Sequence, residues 1–346
     1  ALRNREVSTD VTIRVQPGVL VVGAGPAGLA AAAALGRAGV AVDLVEAGGH
    51  PGGMLNRLFR VAPGDRIPEK ILAPLLETLQ ANSTIRVHTR TRVTDIRGSA
   101  GDFSVTLAGK DGDTRTRTGA VIVATGAKPV LPRGHYRYGR LPGVISGMAL
   151  EKKLKDGLTE NGNTVFVQCV DVRNEKRPFC SAVCCPAALK NAIRLKRSDP
   201  GAEVTILHRD IMSPGSLLEA EYRRATRAGV RFVRFDPEDP PRIQGDDHVT
   251  GVRVTDILAG EERHLEAGRV VLSTPLEPRG KTDREDPVMN AIGLAVDTHG
   301  FYRVLPFLHT VETTAAGVFV CGAARWPVLV DGAMAQGKAA AAKALD

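Results

Sequence analysis

Three glycines constrain this chain more than any other feature. Gly23, Gly25 and Gly28 form a G-x-G-x-x-G core within Val21-Val22-Gly23-Ala24-Gly25-Pro26-Ala27-Gly28, directly after an apolar stretch that begins at Gly18. The stretch reads as a strand feeding a tight turn, and Ala27 to Leu35 continues as a helix of small residues. Glycine here removes the Cβ atoms that would obstruct the turn, the approach of a pyrophosphate and the packing of the first helix. Backbone N–H groups at the helix start then hold phosphate oxygens. Ala41 to Glu46 is the next strand, and Glu46 ends it at the separation needed to receive adenosine ribose hydroxyls. Strand, turn, helix and acidic residue together predict a dinucleotide-binding α/β unit.

The 346 residues suffice for two domains with substantial cores. A helix is expected over Ile71 to Leu79. A three-strand meander is expected over Arg86 to Ile96, Phe103 to Leu107 and Arg115 to Thr118, with Val121 to Ala124 returning to the sheet. A second α/β unit follows Pro129. Its strands are read at Thr164 to Val170, Glu203 to Leu207, Val230 to Val233, Val249 to Val254 and Val270 to Ser273. Its helices are read at Ser181 to Leu195 and Leu217 to Ala228. A last strand, Gly317 to Cys321, and a closing helix from about Gly332 to Leu345 return to the first unit. Gly337 in that helix permits close packing or a ligand. The expected division is therefore 1–129 with 275–346 as the dinucleotide domain, and 130–274 as an inserted domain.

Aromatic residues are only 4% of the chain, which argues against a base-stacking nucleic-acid surface. The formal charge of +8 permits attraction to an acidic partner, and a generally basic solvated surface accounts for it equally well. The alanine and valine runs are interrupted too soon to cross a bilayer, and the chain start lacks a secretory pattern. A cytoplasmic protein is expected; a mature chain stripped of its leader would read the same way.

The Gly52-Gly53 pair, Ala124-Thr125-Gly126 and the late segment Gly317-Val318-Phe319-Val320-Cys321-Gly322 resemble the motifs of flavoproteins with two dinucleotide-binding domains. The resemblance implies FAD. The residues it would place at the cofactor are Gly23, Gly25, Pro26, Ala27, Gly28, Glu46, Gly52, Gly53, Met54, Val93, Ala124, Thr125, Gly126, Gly322, Ala323, Asp331, Gly332 and Ala333. Such flavoproteins commonly carry an acidic residue where this chain has Ala323. Asp331 either belongs to the flavin site at the start of the last helix or only caps that helix.

Four of the five cysteines lie between Cys169 and Cys185, a clustering that suggests metal or redox chemistry rather than a disulfide scaffold. Val167-Gln168-Cys169-Val170, then Pro178-Phe179-Cys180-Ser181-Ala182-Val183-Cys184-Cys185 and Ala188-Leu189-Lys190, closely resemble the flavoprotein A subunit of heterodisulfide reductase. That family implies a thioredoxin-reductase-like α/β core, FAD, and an iron–sulfur cluster in place of the second nucleotide site. The ligands it implies here are Cys169, Cys180, Cys184 and Cys185, holding a [4Fe–4S] cluster. A four-thiolate zinc site, redox-active thiols and plain buried thiols are the alternatives on the residues alone. Cys184 and Cys185 diverge on a regular helix, so binding one centre needs an accommodating backbone. Cys321 reads as a buried strand cysteine, and His88 and His208 as structural. Arg173, Lys176 and Arg177 could tune a cluster, dock an anion or form a solvated loop.

The first strand of the second unit leads into Gln168-Cys169-Val170 rather than another glycine-rich turn, so direct NAD(P)H oxidation is not expected. The compact chain looks most like the A subunit of the sulfur-oxidising heterodisulfide-reductase-like complex. That resemblance implies a cytoplasmic homodimer with B-like and C-like iron–sulfur subunits, in a pathway with lipoate-binding proteins and sulfur carriers. The rivals are an autonomous thioredoxin-reductase-like disulfide oxidoreductase and a non-catalytic structural subunit that retains FAD.

Overall fold

The computed structural model describes residues 15–110, 112–157, 162–279, 292–305 and 310–346. β1 (Gly18–Val22) feeds α1 (Pro26–Arg37), followed by β2 (Ala41–Glu46), α2 (Pro68–Ala81) and β3 (Ile85–Thr89). A meander of β4 (Arg92–Ser99), β5 (Asp102–Gly109) and β6 (Gly112–Thr118) precedes β7 (Ala120–Val123), which pairs in parallel with β1. The chain leaves through β8 (Ala127–Pro129) and builds a second unit of the same plan. This contains β9 (Val144–Ser146), α3 (Gly147–Lys155), β10 (Thr164–Val167), α4 (Cys184–Ser198), β11 (Val204–His208), α5 (Ser216–Arg227) and β12 (Arg231–Arg234). A second meander, β13 (Arg242–Gln244), β14 (Gly251–Asp256) and β15 (Glu261–Glu266), leads into β16 (Arg269–Leu272). β17 (Leu276–Pro278) returns antiparallel to β8, zipping the outgoing and incoming segments together. β18 (Val318–Val320) and α6 (Val330–Lys343) complete the first unit.

The first sheet has the order β18-β7-β1-β2-β3 and the second β12-β11-β10-β16-β9, with every pairing parallel. Parallel sheets need both faces covered. Helices α1, α2 and α6 cover one face of the first sheet and the β4–β6 meander covers the other. The second sheet is covered in the same way by its helices and by β13–β15. The alanines of α1 have a packing reason: Ala30 to Ala33 are fully buried, and a Cβ at Gly337 of α6 would lie 2.1 Å from the Ala27 carbonyl oxygen. Gly337 therefore serves helix packing. Among the described residues no helix is long and apolar enough to cross a membrane.

Several boundaries depart from the sequence reading. The run Arg86 to Ile96 is two strands: β3 belongs to the parallel sheet and β4 opens the meander, with Arg90 at φ 52° turning the chain between them. The strand begun at Thr164 stops at Val167, because Cys169 and Asp171 adopt left-handed backbone. The helix read from Ser181 starts at Cys184, after Ala182 at φ 54°, with Pro186 in its first turn. The closing helix starts at Val330 rather than Gly332. Helix α3 has no counterpart in the sequence reading.

Candidate functional site

A cavity of about 1320 Å³ opens at the carboxyl ends of β1, β2 and β7, where parallel α/β sheets bind ligands. Its floor is the glycine turn. Gly23 sits at φ +102° with its Cβ direction 2.5 Å from the Ala124 carbonyl oxygen, and a Cβ at Gly28 would lie 1.8 Å from the Gly23 oxygen. Gly25 differs: a Cβ there meets no protein atom within 4 Å, and the residue lines the cavity. The first and third glycines thus serve the protein's own packing, and the second keeps the approach open. The Gly52 N–H donates to the Ala24 carbonyl (2.7 Å), and the Cβ direction of Gly53 points at Gly25 Cα (2.9 Å), so this pair folds onto the turn. Glu46 accepts from the N–H groups of Ala24 (2.9 Å) and Gly48 (2.6 Å), which holds its carboxylate at the cavity wall. Thr125 Oγ1 is buried and has no hydrogen-bond partner among the described residues, although its residue lines the cavity. A buried hydroxyl so placed favours a polar ligand.

Of the expected cofactor residues, Gly23, Gly25, Pro26, Ala27, Glu46, Gly53, Met54, Val93, Ala124, Thr125, Gly126, Ala323 and Ala333 line this cavity. Gly28, Gly52, Gly322, Asp331 and Gly332 do not. Gly322 packs towards Ala27 and its N–H donates to Gln336 Oε1 (2.9 Å); Gly332 packs on Val328. Asp331 is neither at the cavity nor a cap. The N-cap of α6 is Leu329, without a side-chain cap, and Asp331 forms a two-pronged ion pair with Arg66 (2.8 Å each). Leu329 and Val330 bring the start of α6 to the cavity instead.

The far wall belongs to the second unit. Glu151 of α3 and Lys190 of α4, 2% and 3% exposed, form a buried ion pair. Lys190 also donates to the Arg60 carbonyl (2.9 Å), while Glu151 accepts from Asn191 (2.8 Å) and from the Phe59 N–H (2.9 Å). Residues 59–60 of the first unit are thereby fastened to the second. Burial lowers the Lys190 pKa and the Glu151 charge opposes that shift. Glu151→Gln strands the lysine charge, so it is expected to cost about 3–5 kcal/mol of stability. Denaturant unfolding measures this, and Glu151→Gln with Lys190→Met together should recover part of the loss. The sequence pattern gives Lys190 no role and does not reveal Glu151, Asn191 or Arg66. A lysine directly after the apolar Pro186-Ala187-Ala188-Leu189 run was the available signal.

Cys169, Cys180, Cys184 and Cys185 all line one small pocket of about 10 Å³ beyond the end of β10. Cys184 and Cys185 are the first two residues of α4, so the left-handed Ala182 and the preceding loop, not a regular helix, bring the set together. The Ala182 N–H faces Cys180 Sγ (3.4 Å), and Cys184 Sγ donates to the Thr274 carbonyl (3.2 Å). Burial raises the pKa of Cys169, Cys184 and Cys185, the last to about 12; thiolate charge on neighbouring members of the set adds to each shift. A bound metal offsets that repulsion and deprotonates its thiols outright. The donor set therefore fits an iron–sulfur group in kind. Among the described residues no group of three His, Cys, Asp or Glu side chains is already arranged as a metal site.

Around the pocket, Arg173 pairs with Asp210 (2.8 Å), and Arg177 bridges Asp171 (2.7 Å) and Glu277 (3.0 Å); Lys176 is exposed. Cys321 lies fully buried in the helical-face core, away from both pockets, and burial pushes its thiol up to about 12. His88 bonds Asp43 (2.8 Å), while His208 packs on Phe232. Between the main cavity and the cysteine loop stands an aromatic group that sequence reasoning missed. Trp326 lies 5.4 Å from Phe179, 5.1 Å from Phe301 and 5.5 Å from His299, centroid to centroid.

Comparison with known proteins places this geometry. Residues 17–337 match the family described as pyridine nucleotide-disulphide oxidoreductase. The A subunit of the H2/formate:CoB-CoM heterodisulfide,ferredoxin reductase of Methanococcus maripaludis is 29% identical over 427 aligned positions, covering 95% of this chain and 64% of that protein. The iron-sulfur A subunit of the CoB–CoM heterodisulfide reductase of Methanocaldococcus jannaschii is 27% identical with the same coverage. The chain thus spans less than two thirds of the length of these relatives. In fold it is similar to thioredoxin reductase of T. acidophilum, with a TM-score of 0.64 and 20% identity over 94% of this chain and 96% of that one.

Proposed function

The chain belongs to the pyridine nucleotide-disulphide oxidoreductase family and is an oxidoreductase, and from that premise we propose that it is the FAD- and iron–sulfur-carrying electron-transfer subunit of a heterodisulfide-reductase-like complex. One observation carries the reading: Cys184 lines both the large cavity and the four-cysteine pocket, so the two candidate redox sites share a wall.

FAD, when bound, exchanges one or two electrons, and an iron–sulfur cluster exchanges one. The glycine turn and the start of α1 hold the pyrophosphate, and Glu46 receives ribose hydroxyls. The start of α6 puts the positive end of a helix dipole on the cavity wall, where it favours negative charge on a reduced flavin. Cys169, Cys180, Cys184 and Cys185 would hold the cluster, whose metal would keep its thiols deprotonated. At the end of β10 the cysteine pocket is about 10 Å³, against about 1320 Å³ in the large cavity. β10 runs into Gln168-Cys169-Val170 rather than a glycine-rich turn, which supports a partner protein, rather than NAD(P)H, as the electron donor or acceptor.

In this reading 1–129 and 275–346 form the FAD domain, and 130–274 the inserted domain that carries the cluster. The finer assignment is the compact A subunit of a sulfur-oxidising complex. It is implied by the resemblance of the compact chain to that A subunit; the Methanococcus relative, aligned over 427 positions against 346 residues here, has segments within the aligned range that this chain lacks. The assembly would be a cytoplasmic homodimer with B-like and C-like iron–sulfur subunits, acting with lipoate-binding proteins and sulfur carriers. Anaerobic assay is expected to find about four iron, about four sulfide and about one FAD per chain. FAD without iron after cluster reconstitution overturns the reading. Sulfur-dependent reduction of the FAD in the reconstituted complex tests the finer assignment.

A further inference from the structure

Strands β10 and β16 run side by side in parallel, and each is prolonged by one buried polar residue, Gln168 (1% exposed) and Ser273 (8%). Their backbones leave little freedom. The Gln168 N–H donates to the Leu207 carbonyl (2.9 Å), the Ser273 N–H to the Val167 carbonyl (2.9 Å), and the Val170 N–H to the Ser273 carbonyl (3.1 Å). Gln168 Nε2 donates to Ser273 Oγ (2.9 Å), and Gln168 Oε1 has no partner among the described residues. Gln168 lines the cysteine pocket, whereas Ser273 lines the large cavity.

A buried amide with an unused polar atom costs free energy unless a ligand answers it. The surroundings say which face of the amide does so. Thiolate and sulfide are anionic acceptors, so an oxygen turned towards them is repelled and an N–H is attracted. A half-turn about the last side-chain bond exchanges the two ends. Oε1 then accepts from the Ser273 hydroxyl, and Nε2 keeps an N–H free for the pocket. Resting on the reading of this pocket as an iron–sulfur site, we propose that Gln168 is a positioning residue that donates a hydrogen bond to a sulfur of the bound cluster, with Ser273 anchoring it from the wall of the flavin cavity.

Donors to cluster sulfurs favour the reduced form, which carries the extra negative charge, and so raise the reduction potential. The anchor makes the cluster sensitive to the flavin wall through a single side chain. The test uses anaerobic wild-type, Gln168→Leu and Ser273→Ala chains, each assayed for iron, sulfide and FAD, then titrated with EPR detection of the reduced cluster. Gln168→Leu is expected to lower the reduction equilibrium constant about tenfold, a midpoint about 59 mV lower for a one-electron couple. It should also lose an exchangeable-proton coupling that the wild type shows in H2O and not in D2O. Ser273→Ala is expected to lower the same equilibrium constant by about threefold, shifting the potential in the same direction. Unchanged potentials and proton couplings in cluster-loaded variants overturn this inference and leave the iron–sulfur reading standing. If Gln168→Leu fails to hold a cluster, Ser273→Ala decides alone. A wild-type chain that takes up no cluster overturns both.

Discussion

Serine in place of Cys184 is expected to strip iron and acid-labile sulfide from the chain while FAD stays bound. Cys184 opens α4 and faces both the cysteine pocket and the large cavity, so it is the ligand candidate nearest the flavin site. A serine hydroxyl has nearly the same shape but is a hard, weakly acidic donor, a poor substitute for a soft thiolate on iron. Iron should fall from about four per chain to below about one, with the cluster EPR signal lost. The flavin absorbance should persist, because the glycine turn and Glu46 lie on another sheet. Cys321→Ser supplies the control. That thiol is buried in the helical-face core and borders neither pocket, so its replacement should leave iron and sulfide unchanged. Full cluster content in Cys184→Ser would remove this residue from the ligand set.

The glycine turn should separate folding from binding in a single pair of substitutions. Gly28→Ala drives a Cβ to within 1.8 Å of the Gly23 carbonyl oxygen, backbone against backbone, so α1 must move off the sheet. The expected loss is about 5 kcal/mol, the exceptional end of single-substitution effects, seen as loss of soluble protein or of the unfolding transition. Gly25→Ala places its Cβ in open space, with no protein atom within 4 Å, on the wall of the large cavity. That chain should fold with nearly wild-type stability and lose FAD affinity by at least about tenfold, since the methyl group occupies the approach of the pyrophosphate. Flavin titration and chemical denaturation on the same samples distinguish the two. Equal loss of stability in both variants would show that the second glycine also serves packing.

Much of this was legible in the residues, and the limits of that legibility have a physical pattern. The strands Ala41–Glu46 and Val204–His208 and the helices α2 and α5 follow from apolar spacing bounded by turn residues. The split between β3 and β4 was not legible, because Arg90 turns the chain in a left-handed conformation that nothing in its residue type announces. The same holds for Cys169, Asp171, Arg173 and Ala182, all left-handed without being glycine. Conformations of this kind persist because the surrounding structure imposes them, so they mark the cysteine loop only once the fold is seen.

The chain alone determined what depends on neighbours in sequence: where glycine is obligatory, which runs bury, and that four thiols lie within a short segment. Those are local demands, set by backbone sterics and by the alternation of apolar and polar residues. Only the tertiary structure decided which distant groups meet. Glu151 finds Lys190 across 39 residues, Asp331 finds Arg66 across 265, and Gln168 reaches Ser273 across 105. The last of these exists because the parallel strands β10 and β16 align their carboxyl ends in space; the other two exist because packing brings α3 against α4 and the start of α6 against the loop before α2. That alignment also sets the cysteine pocket against the cavity wall.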